Sequence, residues 1–231
     1  VLKAGVELAK SGEADFLYLS LTDYIQHSYA PDEPEAIEFV AGIDHWLGEL
    51  DKLGARIVAT ADHGMNHKCD ASGNPQVLFL ESELVARFGD GIRVLCPITD
   101  PYVVHHGALG SAVVVHLPDP SLASRIAAFL NTLPGISEVH DRDSAVRQLE
   151  LPRDLCGDLT VLSKRDWVIG RRPEYHDLAQ LHGELRSHGG RYEEMVPFVC
   201  NFKLSERYRR RGLGDLRNFD AFDFVCNGAP A

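Results

Sequence analysis

Two short apolar runs, Phe16-Leu17-Tyr18-Leu19-Ser20-Leu21 and Arg56-Ile57-Val58-Ala59-Thr60-Ala61, flank a long segment of helical periodicity. This pattern narrows the fold more than any other feature of the chain. Runs this short and this apolar suit strands buried on both faces of a parallel sheet. Between them Ile37, Val40, Ile43, Leu47, Leu50 and Leu53 recur at the spacing of one helix face. Asp32 is the expected N-cap, with Pro34 in the first turn and Glu35 three residues on. Gly54 closes the helix. Strand, helix and strand in this order predict a βαβ unit. The expected fold class is therefore α/β, a parallel sheet flanked by helices.

The flanking sequence extends this frame. Residues 1–10 read as the end of an amphipathic helix stopped by Ser11-Gly12. Residues 76–81 predict another strand and Glu83 to Phe88 a short helix. Beyond about residue 98 the texture changes: 111–117 reads as a strand, 120–133 as a helix ended by Pro134-Gly135, and 136–140 and 159–162 as further strands. This stretch has the character of a small α+β insertion. Apolar strand character returns at 196–201, and the remainder is polar and Arg-rich. The expected organisation is a core over 1–97, an inserted cap subdomain over 98–180, and a return to the core over 181–231. The chain opens Val-Leu-Lys-Ala-Gly without Met, as if inside a helix, and reads as the C-terminal part of a longer protein.

Charge and cysteine usage exclude some partners. A formal net charge of −11 and the lack of any Lys/Arg run argue against nucleic acid as the main partner. A metal site can still create a local positive pocket for an anion. No apolar run approaches the roughly 20 residues of a membrane span. Five widely spaced cysteines without a Cys-x-x-Cys pair suit free thiols in a reducing compartment, so a cytoplasmic location is expected.

The chemistry-bearing residues stand where the two predicted strands end. Asp23-x-x-x-His27 follows the first and Asp62-His63-Gly64 the second. In open α/β sheets that edge is where ligands bind. A carboxylate and an imidazole four residues apart converge if the segment makes a helical turn. Adjacent Asp62 and His63 would diverge on a strand, so the chain must turn there, and Gly64 permits it. Either motif alone is commonly a surface pair or a plain turn. Both together, each at a strand end, point to metal, and mixed Asp/His ligation suits zinc.

Three segments carry a resemblance: Leu19-Ser20-Leu21-Thr22-Asp23-Tyr24-Ile25-Gln26-His27, Thr60-Ala61-Asp62-His63-Gly64-Met65-Asn66, and Ser187-His188-Gly189-Gly190 with Pro197-Phe198 close behind. In order and spacing they resemble the alkaline phosphatase superfamily. The resemblance implies that Asp23, His27 and His188 hold one zinc, and that Asp62 and His63 are part of the set holding a second. It also implies that the missing Asp, the Thr nucleophile and the Lys residues gripping the substrate lie upstream of Val1, so that no catalytic nucleophile is expected in this chain. Thr-Asp-Tyr-Ile-Gln-His with Tyr29-Ala30-Pro31 resembles the phosphonoacetate hydrolase branch most. Nucleotide pyrophosphatases and cofactor-independent phosphoglycerate mutases usually place Gly where Gln26 stands.

On that resemblance the expected partner is a small anionic phosphonate, cleaved at its C–P bond to acetate and phosphate. A homodimer is a permitted assembly. Asp/His sets also accept manganese or iron. Two rivals remain: phosphate ester hydrolysis of the phosphodiesterase or nucleotide pyrophosphatase type, and a non-catalytic metal-binding domain. Of the other histidines, His67 is placed to support the Asp62-His63 turn. His105-His106-Gly107 echoes the final His-Gly motif but lacks the Pro-Phe strand behind it. His45, His116 and His140 read as surface or hydrogen-bonded side chains.

Overall fold

The computed structural model describes residues 1–98, 109–181, 184–211, 214 and 216–230. In chain order its elements are α1 (Leu2–Ser11), α2 (Tyr24–Ser28), α3 (Pro34–Lys52), β1 (Val58–Thr60), β2 (Asn66–His67), β3 (Val77–Phe79), α4 (Leu80–Phe88), β4 (Arg93–Leu95) and β5 (Ala112–His116). They continue with α5 (Ala123–Leu130), β6 (Ile136–Asp141), α6 (Arg142–Leu149), β7 (Leu159–Ser163), β8 (Val168–Gly170), β9 (Arg186–Ser187), β10 (Phe198–Cys200), α7 (Glu206–Arg209) and α8 (Asp220–Asn227). These form two compact units, one of Val1–His63 with Met195–Ala231, the other Gly64–Glu194. No described helix is long and apolar enough to cross a membrane.

In the first unit, Pro34 opens α3 at its first position, and Gly54 closes it in a left-handed conformation (φ +79°) that a side chain would disfavour. The apolar stripe of α3 is only partly covered: Leu50 is buried, whereas Ile37 and Val40 are exposed. Residues 16–21 differ from the expected parallel strand. They carry no strand pairing among the described residues. A run of apolar residues signals burial, but a strand needs a hydrogen-bonding partner, which periodicity does not supply. The run instead lies between helices. Leu19 packs where a side chain on Gly5 of α1 would be, and Phe16 and Tyr18 meet the ring of Phe222 on α8. Among the described residues the expected βαβ pairing is likewise not seen. The partner of β1 is β10, antiparallel, with Val58 opposite Cys200 and Thr60 opposite Phe198. Asn201 locks this pair at its end, accepting the Ile57 N–H at 2.7 Å and donating to Asp51.

The second unit is built on a four-stranded antiparallel sheet in the order β4-β5-β7-β6. Alternation explains β5, whose Val113 and Val115 are fully buried while Ala112, Val114 and His116 are less so. Every residue of β7, one of the two inner strands, is buried. Leu80, Leu84, Ile126 and Leu130 of α4 and α5 pack into the same core. Beside it β3 and β8 make a parallel pair. The unit is wider than the 98–180 segment that stands out in the sequence, because β4 pairs with β5 and β3 with β8. The α/β class holds, with a mixed rather than a purely parallel pattern of pairing.

One turn in this unit admits only glycine. Gly157 has φ +58°, and a Cβ there would lie 2.4 Å from Val114 Cγ1 and 2.7 Å from the Val115 carbonyl oxygen. Gly157→Ala is expected to cost about 3 kcal/mol, left-handed strain and a backbone clash combined. A thermal melt followed by circular dichroism should show Tm lowered by roughly 6–12 °C.

Candidate metal centre

Asp23 occupies the N-cap of α2, and the turn of helix that follows brings His27 back beside it. His27 Nε2 lies 3.2 Å from Asp23 Oδ2. His27 is buried, whereas Asp23 keeps about a third of its side chain in solvent. After β1 the chain leaves regular structure, and the residues there return to the same carboxylate. His63 Nε2 is 3.7 Å from Asp23 Oδ2 and 3.8 Å from Asp62 Oδ1. Thus one oxygen of Asp23 faces two imidazole nitrogens delivered by two separate segments. Asp62 is the outermost member, with its side chain 84% exposed.

These separations test the fit to a metal. Two donors each about 2.0–2.2 Å from a tetrahedral ion stand about 3.3 Å apart. The 3.2 Å separation of Asp23 and His27 matches that spacing, while the 3.7 and 3.8 Å separations around His63 are too long for hydrogen bonds. The donor set, two carboxylates and two imidazoles, is one that zinc accepts. The first unit therefore brings together Asp23, His27, Asp62 and His63.

His188 belongs to the second unit, directly after β9, and is half-buried. Its carbonyl accepts the Ser111 N–H at 2.8 Å, and Gly189 turns the chain at φ +100°. Behind this loop lies a buried polar network. Lys68 has no exposed surface, and its ammonium donates to Ser111 Oγ at 2.8 Å, to the Arg165 carbonyl at 2.6 Å and to Glu193 Oε1 at 3.0 Å. Burial pushes the Lys68 pKa below the usual lysine range, against the opposing pull of Glu193. Glu193 in turn accepts the Gly190 N–H at 2.9 Å and the Asn66 amide at 2.6 Å. Lys68 and Glu193 are not among the residues that the sequence singles out. The available signal was a Glu pair, Glu193-Glu194, only a few residues beyond His188-Gly189-Gly190.

Several other histidines have partners elsewhere. His67 Nε2 lies 2.8 Å from Glu184, His140 Nε2 lies 2.7 Å from Glu138, and His45 meets the edge of Trp46. His116 ends β5 opposite Arg93. His105 and His106 lie outside the described residues.

The chain as a whole is similar to known proteins. Two crystal structures of phosphonoacetate hydrolase from Sinorhizobium meliloti, one with phosphonoformate and one with phosphonoacetate, match at a TM-score of 0.92 and 46% identity. The match covers 100% of this chain and 55% of theirs, so the chain spans little more than half the length of those relatives. A murine ectonucleotide pyrophosphatase/phosphodiesterase 5 matches at a TM-score of 0.58 over 88% of this chain and 53% of that one. At 16% identity that likeness concerns the fold alone. The sequence model for type I phosphodiesterase / nucleotide pyrophosphatase matches residues 7–191, most of the chain. The chain belongs to that family, and with it to the alkaline phosphatase superfamily.

Proposed function

We propose that the full-length protein is a metal-dependent hydrolase that cleaves the C–P bond of phosphonoacetate, consuming water and yielding acetate and phosphate. The observation that carries this reading is the 46% identity, over the whole of this chain, to enzymes solved with phosphonoacetate and phosphonoformate. The C–P bond can break hydrolytically because the departing carbanion delocalises into the neighbouring carboxylate.

In this reading Asp23, His27 and His188 hold one zinc, and Asp62 and His63 contribute to holding a second. When bound, such ions supply a lowered pKa at the attacking oxygen and charge stabilisation on the phosphonate and leaving carbon. The chain's own contribution is to fix the donors. The short α2 sets His27 against Asp23, and the turn after β1 aims His63 at the same carboxylate. The nucleophile is a Thr outside this chain. The five cysteines are free thiols, which supports a cytoplasmic setting.

The family match supports one rival, hydrolysis of phosphate diesters at the same metals. Rates of the full-length protein on phosphonoacetate and on a nitrophenyl phosphate diester, measured side by side, separate the two. Faster turnover of phosphonoacetate is expected; faster turnover of the diester would replace C–P cleavage with phosphodiester hydrolysis.

A further inference from the structure

We propose that the buried Lys68–Glu193 pair is a positioning device for the loop that carries His188. The inference rests on His188 being a metal ligand. It begins from an energetic oddity: both side chains are sealed from water, at 0% and 1% exposure. A buried ion pair contributes little net stability, and an apolar pair of similar volume often does as well or better. What it does provide is directed hydrogen bonding, and here two of its bonding routes, through Gly190 and through Ser111, lead to the same short loop.

Glu193 is the hub. One oxygen takes the Gly190 N–H, two residues beyond His188, while the other takes Lys68 and Asn66. Its main-chain carbonyl accepts the Gly64 N–H at 2.7 Å, and Gly64 directly follows His63 in the chain. Lys68 then reaches across to Ser111 Oγ, and the Ser111 N–H holds the carbonyl of His188 itself. The ligand residue is thus gripped at its own carbonyl and just beyond it, and both grips return to one ion pair. Space is tight as well: a Cβ on Gly190 would lie 2.8 Å from Ser111 Cβ. On the far side Arg191 is anchored to Glu138 of β6 at 3.1 Å, tying the loop's end to the sheet. Metal affinity depends on such outer partners, which typically tune it 10–100-fold.

The test compares zinc affinity in the full-length protein by competition with a chromogenic chelator. His188→Ala first identifies the binding step that depends on this ligand. Lys68→Met/Glu193→Leu then replaces the pair with apolar side chains. That swap removes the buried charges together, so a folded protein is expected, but it leaves Gly190 and Ser111 without their anchors. If the pair serves only stability, the His188-dependent step keeps its affinity. If it positions the loop, that step weakens by roughly 10–100-fold in a protein that still folds. Should the double variant not fold, Ser111→Ala removes a single hydroxyl, and a weakening of about tenfold in the same step is expected. Affinity within about twofold of wild type in whichever of these variants folds would overturn the proposal. A His188→Ala protein that binds zinc like wild type would overturn the ligand assignment, and the positioning role with it.

Discussion

Asp23→Ala in the full-length protein is expected to lower turnover about a thousandfold while leaving the fold intact. The carboxylate faces both His27 and His63, so one substitution removes the oxygen toward which two imidazoles are directed. A lost contribution of about 4 kcal/mol to transition-state charge stabilisation corresponds to roughly 10³-fold in kcat/KM. The helix should tolerate the change. Asp23 stands at the N-cap of α2, but its side chain caps no backbone N–H there. Circular dichroism should therefore match wild type while bound zinc, measured by atomic emission, falls. Wild-type zinc content together with a wild-type rate would remove Asp23 from the metal centre.

Metal removal is expected to have the second large effect. Dialysis of the full-length protein against a chelator should eliminate activity, and zinc should restore it. Stability should follow through linkage: free zinc at 1,000 times its dissociation constant contributes about 4 kcal/mol to the folded state. A melt recorded before and after chelation reads that loss directly. Replacing zinc with manganese or iron in the same experiment ranks the ions, since Asp/His donor sets accept all three. Full activity in excess chelator, with less than one equivalent of zinc per chain, would instead favour a centre that is not catalytic.

Both predictions concern residues that the sequence exposes readily. Asp23-x-x-x-His27 and Asp62-His63-Gly64 are short, local and attached to the ends of apolar runs. Local periodicity also revealed α1, α3, β5 and β7, because an amphipathic helix or a buried strand writes its burial into a single stretch of chain. Partnership is a different matter. Residues 16–21 are apolar as a strand would be, but they lie between α1 and α8 without a strand partner among the described residues. The strand β1 has β10 beside it, and the residues that pair are about 140 positions apart, as in Val58 with Cys200.

The same division runs through the polar network. Lys68 and Glu193 look like ordinary surface residues in the sequence, since Lys and Glu are rarely buried unless paired. Only folding brings Lys68 against Ser111 and Glu193, positions that share no periodicity with it. By itself, then, the sequence determined the family and the α/β class and pointed to the Asp/His donors, because each is carried by residue types in short local patterns. The tertiary structure alone decided which strands pair, that one oxygen of Asp23 faces both His27 and His63, and that a buried ion pair stands behind His188. Those are contacts between distant parts of the chain, set by packing and hydrogen-bond satisfaction rather than by local spacing.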